Sequence, residues 1–159
     1  NLFLMDGVDA ASAMWYNEYH TIVNSGFDPE ELNAFMLADY GLNFPEDGIY
    51  CLENTLATDP EAVRAFAKAS IQGWQYAFKN PDQALDIVMK HVRDANLPTN
   101  RVHQKWMLEK MKEIIMPEDD QAMPGTLDIS DFLFVAQQLK QYGIIQRIPE
   151  YTDFYEPVR

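Results

Sequence analysis

The part of the chain from residue 59 onward carries two helix-start signals that strongly constrain its fold. Asp59-Pro60 and Asn80-Pro81 each place a capping side chain before a proline at the first helical position, where the missing proline N–H costs nothing. After Pro60, small and apolar side chains recur at helical spacing on one face: Val63, Phe66, Ala67, Ser70, Ile71, Trp74, Ala77 and Phe78. The sequence therefore predicts one helix that starts at Pro60 and another that starts at Pro81.

Two more helices are predicted further along the chain. One should run from Thr99 or Asn100 to about Met116, after the stop signal of residues 96–98. The other should begin at Asp128 and end before a glycine at position 143. Residues 117–125 between them are expected to form an acidic surface loop.

The first third of the chain mixes strand and helix patterns. Residues 8–13 and 49–52 are small or apolar enough to be short buried strands, and residues 33–39 are a further strand candidate. Residues 16–24 can form a helix, and residues 41–48 are rich in turn formers. The pattern predicts an α/β chain that is rich in helix.

Composition excludes several classes of function. Twelve basic and 25 acidic residues give a net charge of −13, which repels a phosphate backbone, so no nucleic-acid partner is expected. Cys51 is the single cysteine, expected as a small buried hydrophobe, and it excludes an intrachain disulfide or a multi-cysteine zinc site. His20, His91 and His103 lie far apart, each without a ligand-spaced partner on its own helix. No metal site, catalytic residue or cofactor is predicted, and there is no glycine-rich phosphate loop or nucleophile elbow.

Residues 14–20, Met-Trp-Tyr-Asn-Glu-Tyr-His, are the densest cluster of side chains suited to recognition. Trp15 and Tyr16 can stack on a flat ring, while Asn17 and Glu18 can pair with ring nitrogens and amino groups. The alternative is an aromatic surface turn whose Glu18 is favoured by the helix dipole. The residues alone do not decide between these two interpretations.

The order of motifs along nearly the whole chain resembles the C-terminal half of substrate-binding proteins of ABC importers. Among these proteins, the chain is most similar to the group that resembles thiamine-pyrimidine synthases. Members of that group bind pyrimidine precursors and related heterocycles. The motifs that carry the resemblance are residues 7–19, Asp39-Tyr40-Gly41, residues 44–50, residues 59–66, Gly73 to Ala77, and Asn80-Pro81.

The resemblance implies a periplasmic-binding-protein-like fold of type II, in which two α/β lobes are joined by hinge strands and enclose the ligand. Residues 1–44 would be the remainder of the second, inserted lobe, and residues 45–53 a hinge strand. Residues 54–159 would be the helical C-terminal part of the first lobe. A missing N-terminal half or a second chain would supply the rest of the cleft.

The same resemblance implies a non-enzymatic, extracytoplasmic protein, either periplasmic or a membrane-anchored lipoprotein. It would capture a small heterocycle, such as a thiamine pyrimidine precursor, and deliver it to an ABC permease. Trp15, Tyr16, Asn17 and Glu18 would face the ligand, and Tyr50 would line the cleft from the hinge.

Two other functions compete with this one. The first is a pyrimidine-precursor synthase on the same fold, although the related enzymes carry a cysteine-rich motif and iron, and this chain has one cysteine. The second is a purely structural or interaction role for a helix-rich domain, which would be favoured if the turn around Trp15 packs under other side chains.

Overall fold

Helices and irregular segments make up the computed structural model, which describes residues 2–116 and 125–157. The α-helices are α1 (Glu18–Asn24), α2 (Glu53–Thr58), α3 (Pro60–Lys79), α4 (Pro81–Asp94), α5 (Arg101–Ile115), α6 (Ile129–Gln141) and α7 (Tyr151–Phe154). Short 3-10 helices form at Phe3–Met5, Pro29–Glu31 and Leu37–Tyr40. The helix-rich character expected from the sequence is confirmed.

The expected strands do not form, and no β-strand is found within the described residues. Residues 8–13 and 49–51 have no regular structure, and part of 33–39 is the 3-10 helix at Leu37–Tyr40. A strand exists only when a neighbouring segment pairs with its backbone, and none of these segments has such a partner here. The buried setting that favours strand residues is also missing, since Tyr50 is 79% exposed and Cys51 is exposed as well.

Local capping explains where three of the long helices begin. The Asp59 carboxylate accepts a hydrogen bond from the N–H of Ala62 at 3.1 Å, and the Asn100 side chain accepts one from the N–H of His103 at 3.0 Å. The Asp128 carboxylate accepts from the N–H two residues further on. Asn80 differs from the prediction, because its amide donates back to the carbonyl of Tyr76 at 3.0 Å and makes no cap for α4.

By its internal contacts the chain divides into two compact units, residues 1–34 with 73–120 and residues 35–72 with 121–159. In the first unit α5 packs against both α4 and α1, and Leu85 and Val92 of α4 are buried. In the second unit Phe132 of α6 is buried, with its ring 5.5 Å from that of Tyr151 and 5.1 Å from that of Phe154. Each unit thus has its own small core.

Some predictions lie beyond what the described residues test. The acidic loop expected at 117–125 falls outside them except for its last residue. The lobe and hinge boundaries at 1–44, 45–53 and 54–159 stay a prediction. Across residues 2–116 and 125–157, no helix has both the length and the apolar character that crossing a bilayer requires.

Candidate functional site

The turn that leads into α1 is closed by its own polar groups. The carbonyl of Met14 accepts hydrogen bonds from the N–H groups of Asn17 and Tyr19, at 3.1 and 3.2 Å. One oxygen of the Glu18 carboxylate accepts from the N–H of Met14 at 2.9 Å, and the other lies 3.5 Å from the Asn17 amide nitrogen. Glu18 therefore orders the start of the helix while remaining exposed to solvent.

Trp15 is partly buried because its ring packs inside the first unit. Its ring centroid lies 4.8 Å from that of Tyr19 and 6.0 Å from that of Trp106 on α5, the latter in an edge-on arrangement. The ammonium of Lys110 stands over both indoles, 5.3 Å from Trp15 and 5.0 Å from Trp106. The indole that was expected to face a ligand thus also joins α1 to α5.

His20 is the most buried polar residue of this region, with 9% of its surface exposed. Its ring stacks on Trp106 with 4.5 Å between centroids and 9° between planes. Its Nδ1 lies 2.9 Å from Nδ1 of His103 on α5. We call His20 and His103 the imidazole pair.

The partners of the imidazole pair determine where its protons lie. Nε2 of His103 is 2.9 Å from the amide oxygen of Asn17, which can only accept, so this nitrogen carries a proton. Nδ1 of a neutral His103 must then accept, and Nδ1–H of His20 donates to it. Nε2 of His20 is left as an acceptor for the Asn24 amide N–H at 3.2 Å. With both rings neutral these three contacts each join one donor and one acceptor, whereas the 3.1 Å approach of the Asn24 nitrogen to Nδ1 of His20 brings two donors together.

Burial of the ring is the main cause that lowers the pKa of His20 below its ordinary value of 6.5, and the neighbouring His103 lowers it further. His20 is therefore held neutral by its surroundings. A metal site would need more ligands than these two imidazoles. Within the described parts of the chain, no three His, Cys, Asp or Glu side chains are grouped closely enough to hold an ion.

A hollow of about 440 Å³ opens beside the imidazole pair, between α1, the segment at 97–100 and α5. It is lined by Asn17, Thr21, Asn24, Ser25, Leu97, Pro98, Thr99, Asn100, His103, Gln104 and Met107. No Asp, Glu, Lys or Arg is among these described lining residues, although such residues make up 23% of the chain. Amides and hydroxyls supply both donors and acceptors, so the lining suits an uncharged ligand that can form hydrogen bonds.

The structure places the five predicted site residues in different settings. Asn17 lines the hollow, whereas Trp15 and Glu18 do not contribute to its lining. Tyr16 is partly buried on the same turn. Tyr50 belongs to the other compact unit and is highly exposed, with its ring close to Gly48.

The other lining residues were not singled out from the sequence. On α1, Thr21 and Asn24 follow Asn17 at spacings of four and seven, so this polar stripe could have been found by helical periodicity. His103 lies 86 residues from Asn17 along the chain, and no local pattern connects them.

Comparison with known proteins gives the chain a family. The model of the family described as "NMT1/THI5 like" matches residues 1–84. The riboflavin-binding protein RibY of Chloroflexus aurantiacus is 36% identical over 81 residues, which are 51% of this chain and 23% of RibY. The formylaminopyrimidine-binding protein of Halalkalibacterium halodurans is 30% identical over 94 residues, which are 57% of this chain and 27% of that protein.

The chain thus spans about a quarter of the length of these two relatives. No solved structure matches it significantly. Because the family model covers more than half of the 159 residues, the protein belongs to the NMT1/THI5-like family.

Proposed function

We propose that this chain belongs to the solute-binding component of an ABC importer, which captures a small heterocycle and delivers it to a membrane permease. The observation that carries the proposal is the family membership together with the two relatives, both named for binding a heterocyclic compound. Neither name denotes an enzyme, which supports a binding role over a pyrimidine-precursor synthase.

The complete protein in this proposal has the type II periplasmic-binding-protein-like fold and works outside the cytoplasm. Residues 1–44 belong to the inserted lobe, residues 45–53 to a hinge and residues 54–159 to the first lobe. The rest of the cleft comes from an N-terminal half or a second chain, consistent with the fraction of its relatives that the chain spans. Ligand binding favours the closed arrangement of the lobes, and the permease responds to that state.

The turn at residues 15–18 forms part of the ligand site in this proposal. Asn17 has the best geometric support, because its amide lines the uncharged hollow. Trp15 and Tyr16 offer ring surface for stacking, and the exposed Glu18 offers an oxygen to an amino group. Tyr50 is included as a liner from the hinge on the strength of the family resemblance.

The lining of the hollow supports an uncharged polar ring as the ligand class. Pyrimidines and isoalloxazines present ring nitrogens and carbonyl or amino groups along one edge, and side-chain amides can pair with such an edge. A carboxylate or phosphate on the ligand would find no lysine or arginine among the described lining residues. The proposed ligand is therefore a neutral pyrimidine or flavin-like compound.

Binding is tested by titrating the purified protein with riboflavin, followed by the fluorescence of the flavin, and with an aminopyrimidine, followed by calorimetry. Both this chain and the longest form that its gene encodes are used. Asn17→Ala should weaken binding about two- to tenfold, because one hydrogen bond between neutral groups contributes about 0.5–1.5 kcal/mol. Asn54→Ala, which changes an exposed asparagine of α2, is the matched control.

The proposal is wrong if neither form of the protein binds either compound. The assignment of Asn17 is wrong if binding occurs and both asparagine variants leave the affinity unchanged.

A further inference from the structure

The imidazole pair joins α1 to α5 through one short contact, the 2.9 Å approach of the two Nδ1 atoms. One of its rings is buried against Trp106, and the other lines the hollow. The proposed function makes no use of the charge on either ring. Protonation, however, would change the contact directly.

Each added proton removes a contact of the neutral arrangement. A first extra proton must go to Nε2 of His20, where it meets the Asn24 amide N–H at 3.2 Å, so two donors face each other until that amide turns. A second extra proton puts N–H groups on both Nδ1 atoms, which cannot remain 2.9 Å apart. Full protonation of the pair therefore separates α1 from α5 at this point.

The charged groups on the surrounding helices have partners of their own. The Glu18 carboxylate on α1 is hydrogen-bonded to the N–H of Met14. The Lys110 ammonium already lies over the Trp106 ring on which His20 stacks. On α5 and α4, ion pairs join Arg101 to Asp82 and Asp86, Lys105 to Glu109, and Lys110 to Glu113.

We propose that the imidazole pair is a proton-operated latch, which holds α1 on α5 when neutral and releases it when both rings are charged. His103 of the latch lines the hollow, and so do Asn17 and Asn24, which contact the two rings. Acidification therefore removes part of the wall against which a ligand would bind. This last step rests on the proposed function, whereas the latch itself does not.

The latch is tested without any ligand by following the three histidine rings by NMR between about pH 8 and pH 5. His91, which is exposed on α4, is the control ring. The signals of His20 and His103 should change together because their Nδ1 atoms are 2.9 Å apart, and tryptophan emission should change with the protonation of His20, whose pKa is lowered by burial. Three independent curves and an unchanged emission would overturn the latch.

Variants separate the pair from other causes of pH dependence. His103→Gln keeps a hydrogen-bonding side chain but removes the second charge, so the joint change of the ring signals and the emission change should disappear. His91→Gln is the matched control and should leave both unchanged. If His103→Gln fails to fold, the titration of the unaltered protein still decides the question.

The consequence for the hollow is tested by titrating riboflavin at the two ends of this pH range. Affinity should fall at least about fivefold on acidification, and His103→Gln should lose this dependence. Binding that is equal at both pH values would overturn the link between latch and hollow. Absence of binding at every pH would count against the proposed function, and the NMR titration would still decide the latch.

Discussion

The contact between the indoles of Trp15 and Trp106 should appear as an energetic coupling between the turn that leads into α1 and helix α5, which are far apart in sequence. Trp15→Ala removes a ring that touches Tyr19 and Trp106, and Trp106→Ala removes a ring that stacks on His20. Measured singly and together, the two variants form a double-mutant cycle, which isolates the interaction between the two rings.

The magnitude follows from the environment of each ring. Replacing a fully buried tryptophan by alanine costs about 3–5 kcal/mol, and both rings are partly exposed, so we expect about 2–3 kcal/mol for Trp106 and about 1–2 kcal/mol for Trp15. The edge-on ring contact should contribute about 1 kcal/mol of coupling, because such pairs contribute about 0.5–1.5 kcal/mol. The hydrogen bond from the Trp106 indole does not enter the coupling, since its acceptor is the backbone carbonyl of Trp15.

Urea denaturation followed by circular dichroism gives the free energy of unfolding of each variant. Trp74 supplies the matched control, because its ring stacks on Phe78 and has no ring contact with Trp15. A cycle between Trp15→Ala and Trp74→Ala should give less than about 0.5 kcal/mol of coupling. If the Trp15–Trp106 cycle gives no more than this control, α1 does not pack on α5 through these rings and the geometry of the site is wrong.

Three further outcomes test the fold and its electrostatics. The free energy of unfolding should fall as the pH drops below 6.5, because the pKa of His20 is lowered in the folded protein while the unfolded chain takes up the proton near the ordinary value. Urea denaturation at several pH values should show a smaller fall in His20→Gln, and an equal fall would contradict the burial of this ring. Asn100→Ala should destabilise α5 by about 1 kcal/mol through loss of its cap, as measured against Asn33→Ala at an exposed position outside any helix. Phe132→Ala should lower the free energy of unfolding by about 3–5 kcal/mol, measured by thermal or urea denaturation. Phe66→Ala, at a side chain that is 64% exposed, should lower it far less. Similar losses in the two variants would place the core of the second unit elsewhere.

The helices after Asp59 could be predicted because their signals are local. A capping carboxylate, a proline at the first turn and apolar residues at helical spacing all lie within the segment that they describe. The strands could not be predicted in the same way, since residues 8–13 and 49–52 satisfy the compositional rule for a strand but lack a paired neighbour. Strand formation depends on another segment, and one-dimensional patterns do not report whether it is present.

The residues of the candidate site differ in the same way, because some have a local sequence signal and others depend on contacts with a distant segment. Asn17 was singled out from the sequence because it lies within a cluster of recognition side chains, and in the structure it lines the hollow, while its role in binding stays a prediction. The contacts of His20 with His103 and of Trp15 with Trp106 connect residues 83 and 91 positions apart. Their partners on α5 also fall outside the segment that the family model matches. Only the packing of α1 on α5 brings them together.

The uncharged lining of the hollow contrasts with the net charge of −13 on the chain. This contrast determines how the affinity for a ligand should depend on ionic strength. Dissolved cations gather around the acidic surface and screen its field over about 8–10 Å at physiological salt. A neutral ring that binds among uncharged lining residues gains or loses almost nothing from this screening. Its affinity for the protein should therefore stay nearly constant from low to high salt concentration. A phosphorylated form of the same ring would be repelled in dilute buffer and less so as salt is added. The acidic surface would thus act as an electrostatic filter that separates free heterocycles from their phosphate esters before either reaches the hollow.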